Sequence, residues 1–148
     1  MHYPIWKRLF DIGGAFAGLL FILPFTPLIA LALTLDSPGE VFIRLPRVSE
    51  GKVVKVYKFR SMVAGANKLK ANLRESNERD GPFFKMKSDP RITRVGRVLR
   101  QFRLDEFPQL INVLKGELAL VGPRPHEPEE VVHYPEEYKR LLLTRSGV

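Results

Sequence analysis

The sequence predicts a mainly helical α/β fold associated with a membrane. It comprises an N-terminal helix-break-helix, a small β-hairpin, and amphipathic interfacial helices around a site on the cytoplasmic side. Three observations predict it. An uncharged, almost wholly apolar run extends from Ile12 to Leu35. β-Branched and aromatic residues fill Val41–Val48 and Val53–Met62 on either side of Glu50-Gly51. Beyond them, apolar residues recur at helical spacing among many arginines. Two segments are expected, residues 1–36 at the membrane and residues 37–148 as one integrated unit with one modest core.

The apolar run is long enough to cross a hydrocarbon core of about 30 Å as a straight helix. It is longer than the roughly 7–15-residue core of a signal peptide and closes on no small-x-small cleavage site. Pro24 and Pro27 sit at its middle, where each removes a backbone donor. The freed carbonyls need partners, and the Thr26 hydroxyl is placed to serve locally. Both flanks are basic: Lys7 and Arg8 before the run, Arg44, Arg47, Lys52, Lys55, Lys58 and Arg60 after it. The positive-inside rule places both flanks on the cytoplasmic side. Two forms remain open on these residues alone: a spanning helix kinked by proline, and a helix-break-helix that dips into one leaflet and returns. Trp6-Lys7-Arg8-Leu9-Phe10 has the make-up of an interfacial anchor.

The two β-rich segments read as a hairpin turning at Glu50-Gly51. Ala64 to Arg79 is polar and helix-favouring, with a turn at Asp80-Gly81-Pro82. A helix follows, with Asp89 expected as its cap, Pro90 at its first position, and Ile92, Val95, Leu99 and Phe102 as its apolar stripe. Arg91, Arg94, Arg97, Arg100 and Arg103 recur every third residue, a row that drifts around a helix of 3.6 residues per turn. Arg91 and Arg94 are expected to be solvated, and those nearer the carboxyl end to reach a ligand. A second helix is expected from Glu106 or Phe107 to Lys115, closed by Gly116. Leu118 to Val121 reads as a short buried strand, Gly122-Pro123-Arg124-Pro125 as a rigid loop, and Pro135 to Leu143 as a last helix.

The chemistry concentrates at Leu104-Asp105-Glu106-Phe107-Pro108-Gln109-Leu110, where two adjacent carboxylates open a helix just after the arginines. A helix start suits a carboxylate and an incoming phosphate alike. In an arbitrary protein Asp105 would simply cap the helix. Here 24 Lys and Arg against 16 Asp and Glu give a net charge of +8, which favours anionic partners. A pyrophosphate substrate needs its charge neutralised, a nucleophile, and usually a divalent metal. An aspartate can attack phosphorus to give an acyl phosphate. Glu106, with Asp105 beside it, is the candidate ligand for Mg²⁺, which prefers oxygen. Arg124, between two prolines, loses little entropy in forking onto a phosphate. Arg100 is a second phosphate candidate, and Lys58 and Arg60, two apart on the second strand, are expected on one face. Cysteine is absent, which excludes disulfides and thiolate metal sites. There is no Asp-x-Asp, no Gly-x-x-x-x-Gly-Lys-Ser/Thr loop and no His-Glu-x-x-His. His126 and His133 read as solvated rather than zinc-binding.

At these residues the chain resembles the bacterial sugar transferases, monotopic polyprenyl-phosphate phosphoglycosyl transferases. The resemblance covers nearly the whole chain. It is carried in order by Lys7-Arg8-Leu9-Phe10-Asp11, Phe25-Thr26-Pro27 and Tyr57-Lys58-Phe59-Arg60-Ser61-Met62. Asp89-Pro90-Arg91-Ile92-Thr93 through Gly96, Leu104-Asp105-Glu106, Asn112 to Gly116 and Val121-Gly122-Pro123-Arg124-Pro125 complete it. It implies a re-entrant helix broken at Pro24, Thr26 and Pro27, on the cytoplasmic face of a bacterial inner membrane. It also implies that Asp105 is the nucleophile and Glu106 its partner carboxylate at Mg²⁺. Arg100 and Arg124 would then lie near the phosphates of a UDP-sugar. Sugar 1-phosphate would pass to undecaprenyl phosphate with release of UMP, as the first membrane step of exopolysaccharide, capsule, O-antigen or glycan assembly. One departure is the serine of Arg145-Ser146-Gly147-Val148, where the family has proline and then continues. The expectation is a fold that survives, with full activity left open.

The competing reading is a non-catalytic membrane-surface docking module, which has no need of the acidic pair or Arg124. A nucleic-acid partner is not expected, because the cations are spread over several elements and the apolar run would be unexplained.

Overall fold

The computed structural model describes residues 3–66, 68, 69, 86 and 89–148, with residues 136–138 described by backbone alone. Most of the polar helix expected over 64–79, and the turn after it, lies outside those residues. The chain is mixed α/β and mainly helical, with one two-stranded sheet.

The apolar run is helical almost throughout. Helix α1 covers Ile5–Ile22, a 3-10 turn covers Leu23–Phe25, and α2 covers Thr26–Asp36. Pro24 lies in the turn and Pro27 in the first turn of α2, where a missing N–H leaves no bond unmade. Thr26 Oγ1 donates to the Ile22 carbonyl at 3.1 Å, satisfying the break locally. Trp6, Phe10, Phe16, Leu20, Phe21, Leu28, Leu31 and Leu35 all face outward. Gly14 and Gly18 mark the opposite side, where a side chain would collide with Leu120 and Leu110.

Strands β1 (Phe42–Ser49) and β2 (Lys52–Phe59) pair antiparallel, Ser49 facing Lys52. Glu50 and Gly51 both take positive φ, 49° and 70°, as a two-residue hairpin turn requires. The sheet packs one face on the helices. Ala15, Val56, Leu110, Val113 and Leu118 form one buried cluster, and Ile22, Leu33, Phe59 and Leu99 a second. Leu19 of α1 and Phe107 touch both, so the two clusters meet beside the acidic pair.

Helix α3 runs Arg94–Gln101, later than the expected start at Pro90. Thr93 is its cap, accepting from the Gly96 N–H at 3.0 Å. Asp89 does not cap it, because its carboxylate is already held by Arg91, at 2.9 Å from Nε and 2.6 Å from Nη2. Arg91, expected in solvent, is instead buried and also donates to the Ala66 carbonyl. Arg94 is exposed as expected. In the anticipated stripe Leu99 is buried, whereas Phe102, past the last helical turn, is exposed. Gly96 lies so near Ser61 that an added Cβ would collide with its carbonyl oxygen.

A 3-10 helix over Leu104–Gln109 runs into α4, Leu110–Lys115, which Gly116 closes at φ 81°. Leu118 and Ala119 are buried as expected, but Val121 is exposed, and the segment makes one parallel bridge, Ala119 to Gly147, rather than a strand. Only a short stretch of chain lies alongside it, so no ladder extends. A short helix α5, Pro128–Val131, opened by a capping box of Glu127 and Glu130, precedes α6, Glu136–Leu142.

Candidate active site

Arg103 is the hinge of the site. Helix α3 ends at Gln101 with Phe102 as its cap, and Arg103 takes the left-handed conformation at φ 55°, ψ 21° before the 3-10 helix begins. For a residue with a Cβ this conformation costs roughly 1–2 kcal/mol. The reversal lets Leu104 and Phe107 pack into the core while Asp105 and Glu106 sit between them. Asp105 is only 6% exposed.

Lys58 reaches the pair from β2, its Nζ 2.6 Å from Glu106 Oε1. Asn112 fixes that strand. The Tyr57 N–H donates to Asn112 Oδ1 at 3.0 Å, and Asn112 Nδ2 donates to the Lys55 carbonyl at 2.8 Å and to Glu117 Oε2 at 2.6 Å. A fully buried amide with its bonds met is a rigid strut between α4 and β2.

The two carboxylates are tuned apart. Burial raises the pKa of Asp105, with the Glu106 charge adding to it, and Lys58 and Arg100 only partly offset this. For Glu106 burial also raises it, but the Lys58 hydrogen bond and charge, with Arg124 and Arg103, bring it below the ordinary value. Four cations thus act on two carboxylates, and Arg100, Arg103 and Arg124 are exposed. Such a surplus suits a ligand bearing several negative charges. Two adjacent carboxylates also fit Mg²⁺, which takes one or two of them together with waters and substrate oxygens. Groups of three or more metal-ligating side chains do not occur among the described residues.

The structure thus gathers Asp105, Glu106, Lys58, Arg100 and Arg124. Arg60 is elsewhere. β2 ends at Phe59, so its alternation does not carry on to Arg60, which is buried. Arg60 donates to the carbonyls of Leu33 and Ser37, at 3.1 and 2.6 Å, and to that of Pro38. It closes the C-terminus of α2. Asp36, in turn, accepts from the Val95 N–H at 2.9 Å, tying α2 to the start of α3. Sequence reasoning placed Arg103 only among the arginines at the carboxyl end of the row, and missed Asn112 as the strut. A lone polar residue among Leu110, Ile111, Val113 and Leu114 was the available signal for Asn112. Arg124 borders a cavity of about 310 Å³ lined also by Pro123, Tyr134, Leu141 and Leu142. His126 lines it too, its Nδ1 2.9 Å from the Tyr134 hydroxyl.

The family model described as bacterial sugar transferase matches residues 2–148. The chain belongs to that family. It is 43% identical to the undecaprenyl-phosphate glucose phosphotransferase of Komagataeibacter xylinus, over 96% of this chain and 26% of that protein. It is also 43% identical to the UDP-glucose:undecaprenyl-phosphate glucose-1-phosphate transferase of Escherichia coli, over 92% of this chain and 26% of that one. The undecaprenyl-phosphate galactose phosphotransferase of Salmonella typhimurium is 37% identical, over 96% and 31%. The chain therefore spans between a quarter and a third of the length of these relatives.

Proposed function

We propose that this chain is the catalytic part of an enzyme that moves a sugar 1-phosphate from a UDP-sugar to undecaprenyl phosphate. The observation that carries the reading is a buried carboxylate beside a second one, within a surplus of exposed cations. The names of the relatives supply the substrate class. In the first step an Asp105 oxygen attacks the sugar-bearing phosphorus, and the bond to the bridging oxygen breaks, expelling UMP. In the second, an oxygen of undecaprenyl phosphate attacks the acyl phosphate and frees the Asp105 carboxylate. Burial strips water from Asp105 and leaves it a stronger nucleophile than a solvated carboxylate. Lys58 fixes Glu106, and Arg100, Arg103 and Arg124 take the phosphate charge. Asp105 and Glu106 would hold Mg²⁺, which when bound neutralises phosphate charge that grows in the transition state.

The membrane seat follows the same reading. Residues 1–36 form the membrane element and 37–148 the catalytic unit. The helical run meets the catalytic unit at both ends, through Arg8 on the Val113 and Leu114 carbonyls and through Leu33, Asp36 and Ser37. Phe21, Leu23, Phe25 and Leu28 around the break are exposed. A re-entrant dip from the cytoplasmic face of the inner membrane suits this pattern and keeps Asp105 beside the lipid phosphate.

The test is UMP release from a panel of UDP-sugars by the chain reconstituted in vesicles holding undecaprenyl phosphate and Mg²⁺. Wild type should turn over one or a few sugars, and Asp105→Asn should lose at least about 10³-fold while still binding vesicles. Turnover by Asp105→Asn would remove Asp105 as nucleophile. No release from any UDP-sugar, with vesicle binding intact, would favour the docking module.

A further inference from the structure

Asp11 is a fully buried carboxylate and the one acidic residue of helix α1, and the chemistry above makes no use of it. Its Oδ1 accepts from the Leu120 N–H at 3.0 Å, and its Oδ2 accepts from the Tyr3 hydroxyl. One turn earlier on the same face, Lys7 stands 3.9 Å from Asp11 Oδ1 and donates its Nζ to the Val121 carbonyl at 3.1 Å. Two polar side chains of α1 thus grip the backbone on both sides of one peptide unit. The chain enters Gly122-Pro123-Arg124 directly from there. Gly14, three residues past Asp11, is closed against the Leu120 side chain.

Further bonds to this stretch come from backbone, among them that of the Val148 N–H to the Ala119 carbonyl at 3.1 Å. The Ala119 N–H donates to the Ser146 carbonyl at 2.8 Å, and the Gly147 N–H to that of Pro123 at 2.9 Å. The Val48 N–H donates to the His126 carbonyl at 2.9 Å on the far side. Between these holds stands Arg124, exposed, whose charge helps to lower the pKa of Glu106. A side chain at Gly122 would strike the Arg145 and Gly147 backbone, so the loop has no slack on that side. The placement of Arg124 is therefore set jointly by the C-terminal residues and by α1.

We propose that Asp11 and Lys7 are positioning residues for Arg124, so that the seat of α1 sets how the substrate phosphate is bound. The proposal rests on the phosphate role given above to Arg124. Neither residue touches substrate. Each acts through the Leu120–Val121 peptide. A buried carboxylate taking an N–H and a phenol is well satisfied, and burial together with the Asp11 bond pushes the Tyr3 hydroxyl up to about 12, so its proton stays in place across the working range.

The experiment is steady-state UMP release in vesicles of fixed lipid composition, run on Asp11→Ala, Asp11→Asn, Lys7→Met, Arg124→Ala and the Asp11→Ala/Arg124→Ala double variant. Asp11→Ala should raise KM for the UDP-sugar about tenfold with kcat changed by less than about threefold. Asp11→Asn keeps an oxygen for the Leu120 N–H and should recover part of that loss. On the Arg124→Ala background, Asp11→Ala should add less than about twofold, because the residue it positions is already gone. A double variant showing the full product of the two defects would overturn the proposal, as would a fall in kcat alone. If Asp11→Ala does not fold, Lys7→Met carries the same cycle. Amide exchange at Leu120 to Gly122 gives a readout that does not depend on turnover. Faster exchange there in Asp11→Ala, with α3 unchanged, supports the grip even if wild type turns over no UDP-sugar, and unchanged exchange refutes it.

Discussion

Lys58 and Arg60 stand two residues apart at the end of β2, yet one faces a carboxylate and the other faces carbonyls. Around Arg60 a single cation meets the Leu33, Ser37 and Pro38 carbonyls at the dipole-negative end of α2, with Arg60, Leu33 and Ser37 buried and Pro38 at the surface. Around Lys58 the balance runs the other way, with four cations acting on two carboxylates and three of the four open to solvent. A cluster whose Nη1 and Nη2 donors are both taken by backbone carbonyls holds the fold together. A cluster with cations to spare beside a buried carboxylate has room for a polyanion. Counting donors against acceptors separates the two, where charge alone does not.

The largest expected effect breaks the first cluster. Arg60→Met keeps the length and apolar stem of the side chain but removes the charged donor from all three carbonyls and leaves that of the buried Ser37 without it, while the Leu33 carbonyl keeps the Ser37 N–H. Hydrogen bonds to a charged group contribute roughly 1.5–3 kcal/mol each, so a loss of about 3 kcal/mol or more is expected in chemical denaturation. The activity that remains in folded protein should be near wild type. A folded Arg60→Met protein with KM for the nucleotide sugar raised tenfold would instead put Arg60 at the phosphates, by about the worth of one such bond.

The second expected effect breaks the other cluster. Lys58→Met removes the partner of Glu106 at a partly buried position, the two side chains being 17% and 25% exposed, where the loss to folding is expected at about 1 kcal/mol because both groups still reach water. Catalysis should suffer more than stability, with kcat/KM down about 10–100-fold. Glu106 should also titrate higher, since the Lys58 hydrogen bond and charge are what chiefly offset its burial. The acid limb of the rate profile would then move to higher pH. Equal losses of stability in Lys58→Met and Arg60→Met would abolish the distinction between the two clusters.

Much of this molecule is legible in its sequence alone. The proline break, the hairpin turning at Glu50-Gly51, the Gly116 stop and the Asp105-Glu106 pair all follow from local rules, and each stands where the rules put it. The illegible parts depend on partners far along the chain. Arg60 cannot be told from Lys58 by pattern, because strand alternation predicts a shared face and only the end of β2 at Phe59 undoes it. Asp89 looks like a cap, because the same residue type serves both caps and ion pairs, and Arg91 settles which. Asn112 joins α4 to a strand more than fifty residues earlier, and nothing in its neighbourhood announces that.

The smallest expected effect sharpens the comparison from the side of Asp105. Its folded pKa is raised above the ordinary 3.8, chiefly by burial, so the folded chain holds that proton to higher pH than the unfolded chain does. As pH rises through this interval the unfolded state releases its proton first, and the ionised carboxylate then destabilises the fold. Asp105→Asn removes that penalty. It should unfold at a slightly higher temperature than wild type at neutral pH, while losing turnover. The advantage should be full above the folded pKa and shrink as pH falls through it, vanishing below the unfolded value. Paired melting curves of the two proteins across pH 3–8 cancel every other titrating group common to both. An advantage that grew toward acid would mean that the cations around Asp105 outweigh its burial, and that the carboxylate is held by structure in the way Arg60 is held by the carbonyls of α2. An advantage that fades toward acid is what a site strained for chemistry shows, since the feature that makes Asp105 reactive is the one that makes it costly to keep.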